Sequence, residues 1–425
     1  MNDDSRLVWL VSFSHFITHG YMTILPAVLI AIAAEQSMTF TQLGIIANVG
    51  YFLYGLGAFP AGYLADRFGS KRLLTIGVLG MGLSSILVGL TSSLYAFAVA
   101  YALLGASASI HHPAGLSLIA RRITANKGRA MGFHGVMGNV GLFLSPLAAA
   151  SCIMLFGTWR AAYLTYGIVG MGFFLIMHFA RIKGEADLSF RGRAADDTDA
   201  SRSVSGEKKH ENGRNGFEPF HISLALLVLF VGSIVSGFIF RGSLTFLPTL
   251  FKQNITVITN HDEPVVMAGY AATAVLSLGL LGAWFGGWIN DRISRPELVP
   301  VFIFLVSAPA LYFAGRFMDA PLIMTTGLFS LVYYAWQPSQ NYLISKYTKK
   351  SSHGMGFGVN FFLIFGMGSL ATSIGGWVTD ELGVDRFYTI LSLFALAGMF
   401  VATAVYPLRN LALCVGRKEK KIIRV

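Results

Sequence analysis

Apolar runs of about 20 residues recur along the whole chain and are separated by short polar turns. A helix of that length crosses a hydrocarbon core of roughly 30 Å. The pattern therefore predicts an all-α membrane protein with twelve transmembrane helices. The predicted spans cover residues 7–34, 42–65, 73–92, 95–119, 130–156, 159–180, 221–251, 265–290, 298–316, 320–345, 354–380 and 387–407.

Composition favours the same class of protein. Hydrophobic residues make up 54% of the 425 residues and charged residues 12%, about half the charged fraction of a soluble domain. The N-terminal stretch MNDDSRLVWL has no basic n-region and no small-residue cleavage site, so the first run is interpreted as a retained helix. Cys152 lies in a span and Cys414 after the last one, so no disulfide framework is predicted.

The basic residues lie mostly on one side of the predicted membrane. Of 32 Lys and Arg, 27 precede the first span, follow the last, or lie in the loops that connect spans 2 and 3, 4 and 5, 6 and 7, 8 and 9, and 10 and 11. The positive-inside rule therefore places both termini and the central loop in the cytoplasm. A multi-pass protein of the plasma membrane, in a bacterium the inner membrane, is expected. The net charge of +11 is then no reason to expect a nucleic-acid partner.

The chain is divided into two halves that repeat each other. A stretch rich in charge, Gly and Ser cannot bury a core and predicts a flexible cytoplasmic linker. GYLADRFGSKR at 62–72 in the first half returns as GWINDRISR at 287–295 in the second. A parallel repeat of six-helix halves is typical of transporters, with the substrate site near mid-membrane between them. The predicted units are a bundle at 1–181, the linker at 182–219, a bundle at 220–408 and a basic cytoplasmic tail at 409–425.

The stretch at 62–72 resembles the loop 2/3 signature of the major facilitator superfamily, in which glycine, Asp-Arg, glycine and basic residues follow in fixed order. Helix count, linker and repeat extend the resemblance over the whole chain. It implies the major facilitator fold, a monomer, and a turn that clamps the cytoplasmic side shut in the outward-open state. Ser294 replaces the expected glycine of the second half, which implies a weaker second clamp. The alternative is a solvated turn that only sets topology. The gating candidates are Gly62, Asp66, Arg67, Gly69, Asp291 and Arg292.

The fifth span resembles, in degenerate form, the glycine and proline pattern of antiporters in this superfamily. Gly132, Gly141 and Pro146 keep that spacing, and small residues stand where other glycines are expected. Small residues allow close helix approach and proline bends a helix, so this span is the predicted packing hinge. The resemblance favours export; the alternative is ordinary helix packing.

Helices 1, 4 and 5 resemble the fosmidomycin-resistance group of exporters. The resemblance rests on SH at Ser14, HP at His112 and the run GRAMGFHGVMGNVG from Gly128. His19 and Ala114 stand where that group has acids, and Tyr101 stands where antiporters have an arginine. These departures put conventional carboxylate-driven proton coupling in doubt.

Ionisable residues inside a span are costly and usually face a cavity. No Asp or Glu lies near a predicted span centre, where histidines and one arginine occur instead. Aligning Pro26 with Pro248 places Arg241 at the repeat position of His19, so both are expected to face one cavity from opposite halves. A basic cavity suits an anion. The substrate-binding candidates are Arg241, His19, His15, His111, His112, His134, Gln337, Asn341 and Asn360.

The histidines are also the candidates for coupling. An imidazole with an ordinary pKa near 6.5 can take up and release protons where a carboxylate is missing. His15 and His19 share a helix face because they are four residues apart. The proton-coupling candidates are His19, His15 and His134. For each histidine the alternative is a neutral ring hydrogen-bonded inside the bundle, and for the amide side chains a structural hydrogen bond between helices.

The sequence therefore predicts a proton-coupled exporter of a small organic anion or drug-like compound, with no cofactor and no resident metal site. A second interpretation uses the histidines as ligands of a transported transition metal or metal chelate. Arg241 would repel a cation, which argues against it. A third is a non-transporting receptor or assembly factor on a transporter scaffold. An enzyme is not predicted, because Walker A, HExxH and serine-elbow motifs are missing.

Overall fold

The computed structural model describes residues 3–123, 127–180, 222–290, 292–348 and 353–422. The regular elements in these stretches are all helices. The helices of the N-terminal half are α1 (Asp3–Gln36), α2 (Phe40–Leu56), α3 (Ala58–Phe68), α4 (Ser70–Leu90), α5 (Leu94–Ala108), α6 (His111–Arg122), α7 (Lys127–Phe156) and α8 (Arg160–Phe179).

The C-terminal half continues the same pattern. Its helices are α9 (Leu224–Asn254), α10 (Thr256–Thr259), α11 (Pro264–Asn290), α12 (Leu298–Ala314), α13 (Asp319–Tyr333), α14 (Trp336–Tyr347), α15 (His353–Phe361), α16 (Leu370–Leu382) and α17 (Val384–Ile422). A π-helical turn at Phe362–Gly366 and a 3₁₀ turn at Met367–Ser369 join α15 to α16.

The prediction of a twelve-helix membrane fold is confirmed. In the described chain, ten helical stretches are long and apolar enough to cross a membrane, and Leu298–Ala314 is a shorter apolar helix. The remaining predicted span, at 320–345, is divided between α13 and α14. The predicted linker lies outside the described residues, as do the side chains of the predicted tail.

Two predicted spans are interrupted at the same depth, and the interruptions touch. The second span breaks between α2 and α3 at Gly57, and the fourth between α5 and α6 near Ser109. A Cβ at Gly57 would overlap the Ser109 hydroxyl. The break in the fourth span puts His111 and His112 into the first turn of α6, so local irregularity places part of the candidate site.

Helices α1 and α7 approach closely because small residues line their contact. A Cβ at Gly141 would overlap the backbone carbonyl of Phe16, and one at Gly138 would overlap the His15 ring. The Ser145 hydroxyl donates to the carbonyl of Gly20 at 2.8 Å. This packing brings histidines of three helices together.

The two halves meet in the middle and at the end of the bundle away from the chain termini. Helix α2 packs on α16 so closely that a Cβ at Gly44 would overlap the Thr372 carbonyl, and one at Gly376 the Phe40 carbonyl. At the same end a Cβ at Gly269 of α11 would lie 2.9 Å from Ala150 of α7. This end of the bundle is therefore closed.

A carboxylate caps the closed end. Asp380, in the last turn of α16, accepts hydrogen bonds from the backbone N–H groups of Phe40 (3.0 Å) and Thr41 (2.6 Å) and from the Thr41 hydroxyl (2.5 Å). The first N–H groups of a helix have no partner within it, and the helix dipole is positive there. Asp380 of one half thus stabilises the N-terminus of α2 in the other half; we call this contact the Asp380 clamp.

Candidate functional site

Arg241 lies at the centre of the contact between the halves. It belongs to the middle of α9, is 2% exposed, and holds its guanidinium carbon 3.6 Å from the centroid of the Tyr51 ring on α2. Phe240 and Phe365 flank the same cation at 5.6 and 5.9 Å. Nε and Nη1 of Arg241 find no hydrogen-bond acceptor among the described residues. A permanent charge is therefore buried against aromatic faces, and two of its nitrogens have no hydrogen-bond acceptor among the described residues.

The five predicted histidines form one cluster inside the N-terminal half. Their ring centroids lie 4.1 to 5.5 Å from one another in the pairs that touch. Its members are His15 and His19 of α1, His111 and His112 of α6, and His134 of α7. Two protonated rings at such distances repel by about 3–4 kcal/mol at an effective dielectric constant of about 20. The cluster therefore cannot be protonated at every ring at once.

Hydrogen bonds fix the orientation of several rings. Nδ1 of His15 donates to the backbone carbonyl of His134 at 2.8 Å, so the neutral ring carries its lone pair on Nε2. Nδ1 of His111 lies 3.0 Å from the Ser14 hydroxyl. The Tyr54 hydroxyl lies 2.7 Å from Nε2 of His112. His19 and His112 are half-buried and the other three rings are buried, so the first two form the cavity face of the cluster.

Aromatic side chains connect the histidine cluster to Arg241. Phe361 of α15 lies 4.6 Å from the His112 ring and 5.4 Å from Tyr54, ring centroid to centroid. Phe361 lies 4.5 Å from Phe365, centroid to centroid, and Phe365 flanks Arg241, so ring contacts extend from His112 to Arg241. That His19 and Arg241 face one cavity from opposite halves stays a prediction.

An open aromatic cleft in the C-terminal half lies next to Arg241. Its lining consists of Phe240, Tyr333, Tyr334, Trp336, Gln337, Ile364 and Phe365. The cleft has the mixed aromatic and polar lining that is typical of small-molecule pockets.

The predicted amide residues fall into two groups. Gln337 is exposed and lines the cleft, and Asn341 is also exposed. Asn360 is buried and accepts a hydrogen bond from the Ser233 hydroxyl at 2.6 Å. Gln340 donates to the same hydroxyl and to the Leu229 carbonyl, each at 2.8 Å. Asn360 therefore ties α15 to α9, in accord with the structural alternative.

The predicted gating turns are described only in part. The side chain of Asp66 and the whole of Asp291 lie outside the described residues. Gly69 has φ +92°, a conformation that favours glycine, and ends α3 with its N–H donating to the Ala65 carbonyl at 3.1 Å. Gly62 lies against Pro113 of α6, since a Cβ there would be 3.7 Å from the proline ring.

The two arginines of these turns are exposed and contact residues of their own turn. Arg67 lies 3.5 Å from the Tyr63 hydroxyl, and Arg292 stacks on Trp288 at 4.4 Å. Both contacts stay within one half, so a clamp between the halves at this end remains a prediction.

The predicted hinge residues of α7 differ in their surroundings. Gly141 packs on α1, whereas a Cβ at Gly132 would meet nothing within 4 Å. Pro146 lies inside α7, with its carbonyl 3.7 Å from the position of a Cβ on Gly269. Gly141 and Pro146 thus lie at helix contacts, while Gly132 faces open space.

Sequence reasoning missed Tyr51, Tyr54 and Asp380. The two tyrosines are three residues apart and therefore share a face of α2, which is the one pattern that could have indicated them. Asp380 stands at the end of an apolar run, where acids are common, so the sequence holds no sign of its role across the two halves.

Helical halves that pack on each other around a buried arginine are typical of membrane transporters. The sequence profile of the Major Facilitator Superfamily matches residues 9–372, and the chain belongs to that family. It is 24% identical to the fosmidomycin resistance protein of Escherichia coli over 405 residues, covering 92% of this chain and 90% of the relative. It is 23% identical over 427 residues to the membrane sensor protein UhpC of Salmonella typhimurium, covering 95% and 90%.

Solved structures agree on the fold. A bacterial homologue of the human lysosomal transporter Spinster, in an inward-facing and unoccupied conformation, superposes with a TM-score of 0.76 at 14% identity and covers 97% of both chains. A D-xylose–proton symporter superposes with a TM-score of 0.72 at 13% identity, covering 94% of this chain and 96% of the other. The chain is thus a multi-pass membrane transporter of the major facilitator fold, with detectable similarity to the fosmidomycin resistance protein.

Proposed function

We propose that the protein is a secondary active transporter of small organic anions, including anionic drug-like compounds, that works by alternating access and exports its substrate with protons as the coupling ion. The observation that carries the proposal is Arg241, a permanent positive charge that is buried between the halves and has no acidic partner among the described residues.

A bound anion would supply the negative charge and the hydrogen-bond acceptors that Arg241 lacks among the described residues. Removing a charge from water costs several kcal/mol unless a partner compensates for it. The stack on Tyr51 holds the guanidinium plane in place and leaves Nε and Nη1 without acceptors. Planar guanidinium groups bind carboxylates and phosphates through two parallel hydrogen bonds. The adjoining cleft would hold the apolar part of the same molecule.

Protons are the proposed coupling ion because the histidine cluster supplies imidazoles, whose ordinary pKa lies near neutral pH, on the N-terminal side of Arg241. His19 and His112 form the cavity face of the cluster, and His15 and His134 lie behind them. A bound anion next to Arg241 would lower the cost of a proton on these rings, and by linkage a proton would strengthen anion binding. The proposed site therefore couples the two ligands through charge.

Export is a separate part of the proposal. It rests on the hinge pattern of the fifth span and on similarity to a relative whose name reports fosmidomycin resistance. The mutual attraction of anion and proton by itself favours cotransport, so export depends on those two observations alone, and the direction of flux is its separate test. Both termini and the gating turns are proposed to be cytoplasmic, which would make the closed end the outer one.

The test uses purified protein in proteoliposomes with imposed pH gradients and a panel of anionic, cationic and neutral compounds. We expect movement of an anion that is lost in Arg241→Ala and partly kept in Arg241→Lys. Arg316→Ala is the matched control, because Arg316 stacks on Tyr312 at 5.3 Å but lies at the end of the bundle, away from the cavity.

Three results would contradict parts of this function. Anion transport at the wild-type rate in Arg241→Ala would remove the proposed site. Proton-driven uptake into right-side-out membranes would overturn export and leave the site intact. Binding that depends on Arg241 without any flux would favour a receptor, the activity named for the sensor relative UhpC.

A further inference from the structure

Three of the five histidines bring their Nε2 atoms close together. The Nε2 atoms of His15 and His19 are 3.2 Å apart, and those of His19 and His112 are 3.4 Å apart. The three rings offer ligand atoms that all lie within 4.8 Å of one another. In a tetrahedral site with metal–nitrogen bonds of about 2.0–2.1 Å, neighbouring nitrogens lie roughly 3.3–3.4 Å apart. Two of the three spacings already match that value.

Ring orientation separates this triad from the other close group. A metal ion lies near the plane of every imidazole that binds it, so ligand planes must intersect at the ion. His15, His111 and His134 are stacked with interplanar angles of 11° to 19°, so their nearly parallel planes share no nearby point. The rings of His15, His19 and His112 are tilted by 53° to 85° and can share one.

The protonation pattern of the triad is also partly set. The hydrogen bond from Nδ1 of His15 to the His134 carbonyl leaves Nε2 as the free lone pair. A backbone carbonyl on the far nitrogen is the usual outer-shell partner of a metal-bound histidine. The half-buried rings of His19 and His112 leave the point reachable from the cavity.

We propose that His15, His19 and His112 form a three-histidine binding site for a divalent late first-row transition-metal ion, with a fourth coordination position open to the cavity. Neutral imidazole nitrogens suit Zn²⁺, Co²⁺, Ni²⁺ and Cu²⁺. The Tyr54 hydroxyl, now 2.7 Å from Nε2 of His112, would turn to the group that occupies the fourth position.

Arg241 determines how such an ion is held. The contacting rings of Phe361 and Phe365 join it to His112, and at this short range its positive charge opposes a bare dication bound to three neutral ligands. An anion in the open position would compensate both charges. The site therefore binds the metal more tightly when a small carboxylate such as acetate is present, and Arg241→Ala binds the bare ion more tightly than the wild type does. The metal site does not depend on anion transport.

The test is titration of purified protein, produced without a polyhistidine tag, with Co²⁺ followed by visible absorption and with Zn²⁺ as competitor. We expect one equivalent of four-coordinate Co²⁺, and affinity at least about a hundredfold lower in His19→Gln and His112→Gln. His134→Gln is the matched control within the cluster, because its stacked ring cannot share an ion with His15. It should keep the affinity.

X-ray absorption of the zinc-loaded wild type keeps the inference testable if the variants do not fold. It should show three imidazole nitrogens at about 2.0–2.1 Å. The site would be overturned if the spectrum showed fewer than three imidazole nitrogens or if the wild type bound no metal. Wild-type affinity in both His19→Gln and His112→Gln would overturn it as well. A wild-type protein that binds no metal but still shows Arg241-dependent anion flux would refute this site and leave the proposed function standing.

Discussion

Removing the Asp380 clamp should open the closed end of the bundle. The carboxylate accepts two backbone N–H groups and one hydroxyl from the first turn of α2, and all three bonds join the two halves. Hydrogen bonds to a charged group contribute about 1.5–3 kcal/mol each when buried. Because Asp380 is exposed, its contribution is closer to that of a surface pair and a cap, about 1–2 kcal/mol in total.

A change of 1–2 kcal/mol shifts the ratio of open to closed molecules by a factor of about 5–30. Asp380→Ala should increase the labelling rate of a cysteine at position 373 by that factor. Ser373 is half-buried at the contact of the halves, with its hydroxyl 3.4 Å from the Gly44 carbonyl. The assay uses a membrane-impermeant maleimide on protein whose native Cys152 and Cys414 are replaced.

Asp319→Ala is the matched control. Asp319 accepts from the N–H and hydroxyl of Thr256 at 2.6 and 3.1 Å, the same kind of cap, but both residues belong to the C-terminal half. It should leave labelling at position 373 unchanged. Equal labelling rates in Asp380→Ala and the parent, or equal increases in both variants, would refute the assignment of the clamp to the contact between halves.

Two further predictions concern stability. Gly138→Ala should lower the melting temperature, because the new Cβ overlaps the His15 ring and overpacking costs about 1–3 kcal/mol. Gly132→Ala on the same helix meets nothing within 4 Å and should be neutral or stabilising by up to about 1 kcal/mol. Equal losses of melting temperature for the two variants in scanning fluorimetry would contradict the packing account. At the terminus-side end of α12, burial raises the pKa of Glu297, but hydrogen bonds from Lys346 and Tyr347 bring it below its usual value. The stabilisation by Glu297 is therefore present above its unfolded-state pKa and is lost as the pH falls through its folded-state pKa. Below about pH 4 the wild type should lose more thermal stability than Glu297→Gln. Parallel curves of melting temperature against pH for the two proteins would rule this out.

The sequence was sufficient to predict the helical membrane fold with its internal repeat and the presence of a charged residue, Arg241, inside a span. Each of these depends on properties that are local or periodic: the length of an apolar run, the repeat of the charged turn, and the cost of an arginine inside a span. The expectation that His19 and Arg241 face each other comes from aligning two prolines, Pro26 and Pro248, and it stays a prediction.

The details of the site depend on contacts between helices, which hydrophobic runs do not encode. The break at Gly57 follows from its contact with Ser109 of another span. His111 and His112 are adjacent in sequence, but one stacks in the buried group and the other faces the cavity. That division is set by the first turn of α6, which sequence reasoning had placed inside an unbroken helix.

The glycine contacts between the halves also bear on how natural variants should be interpreted. At Gly44 and Gly376 the backbones of opposite halves approach so closely that the smallest side chain collides with a carbonyl. A change there alters the equilibrium between conformations without touching any ligand. A substitution that abolishes transport at these positions is thus no sign of a substrate contact. A survey of inactivating alleles would identify the contact between the two halves as readily as the binding site.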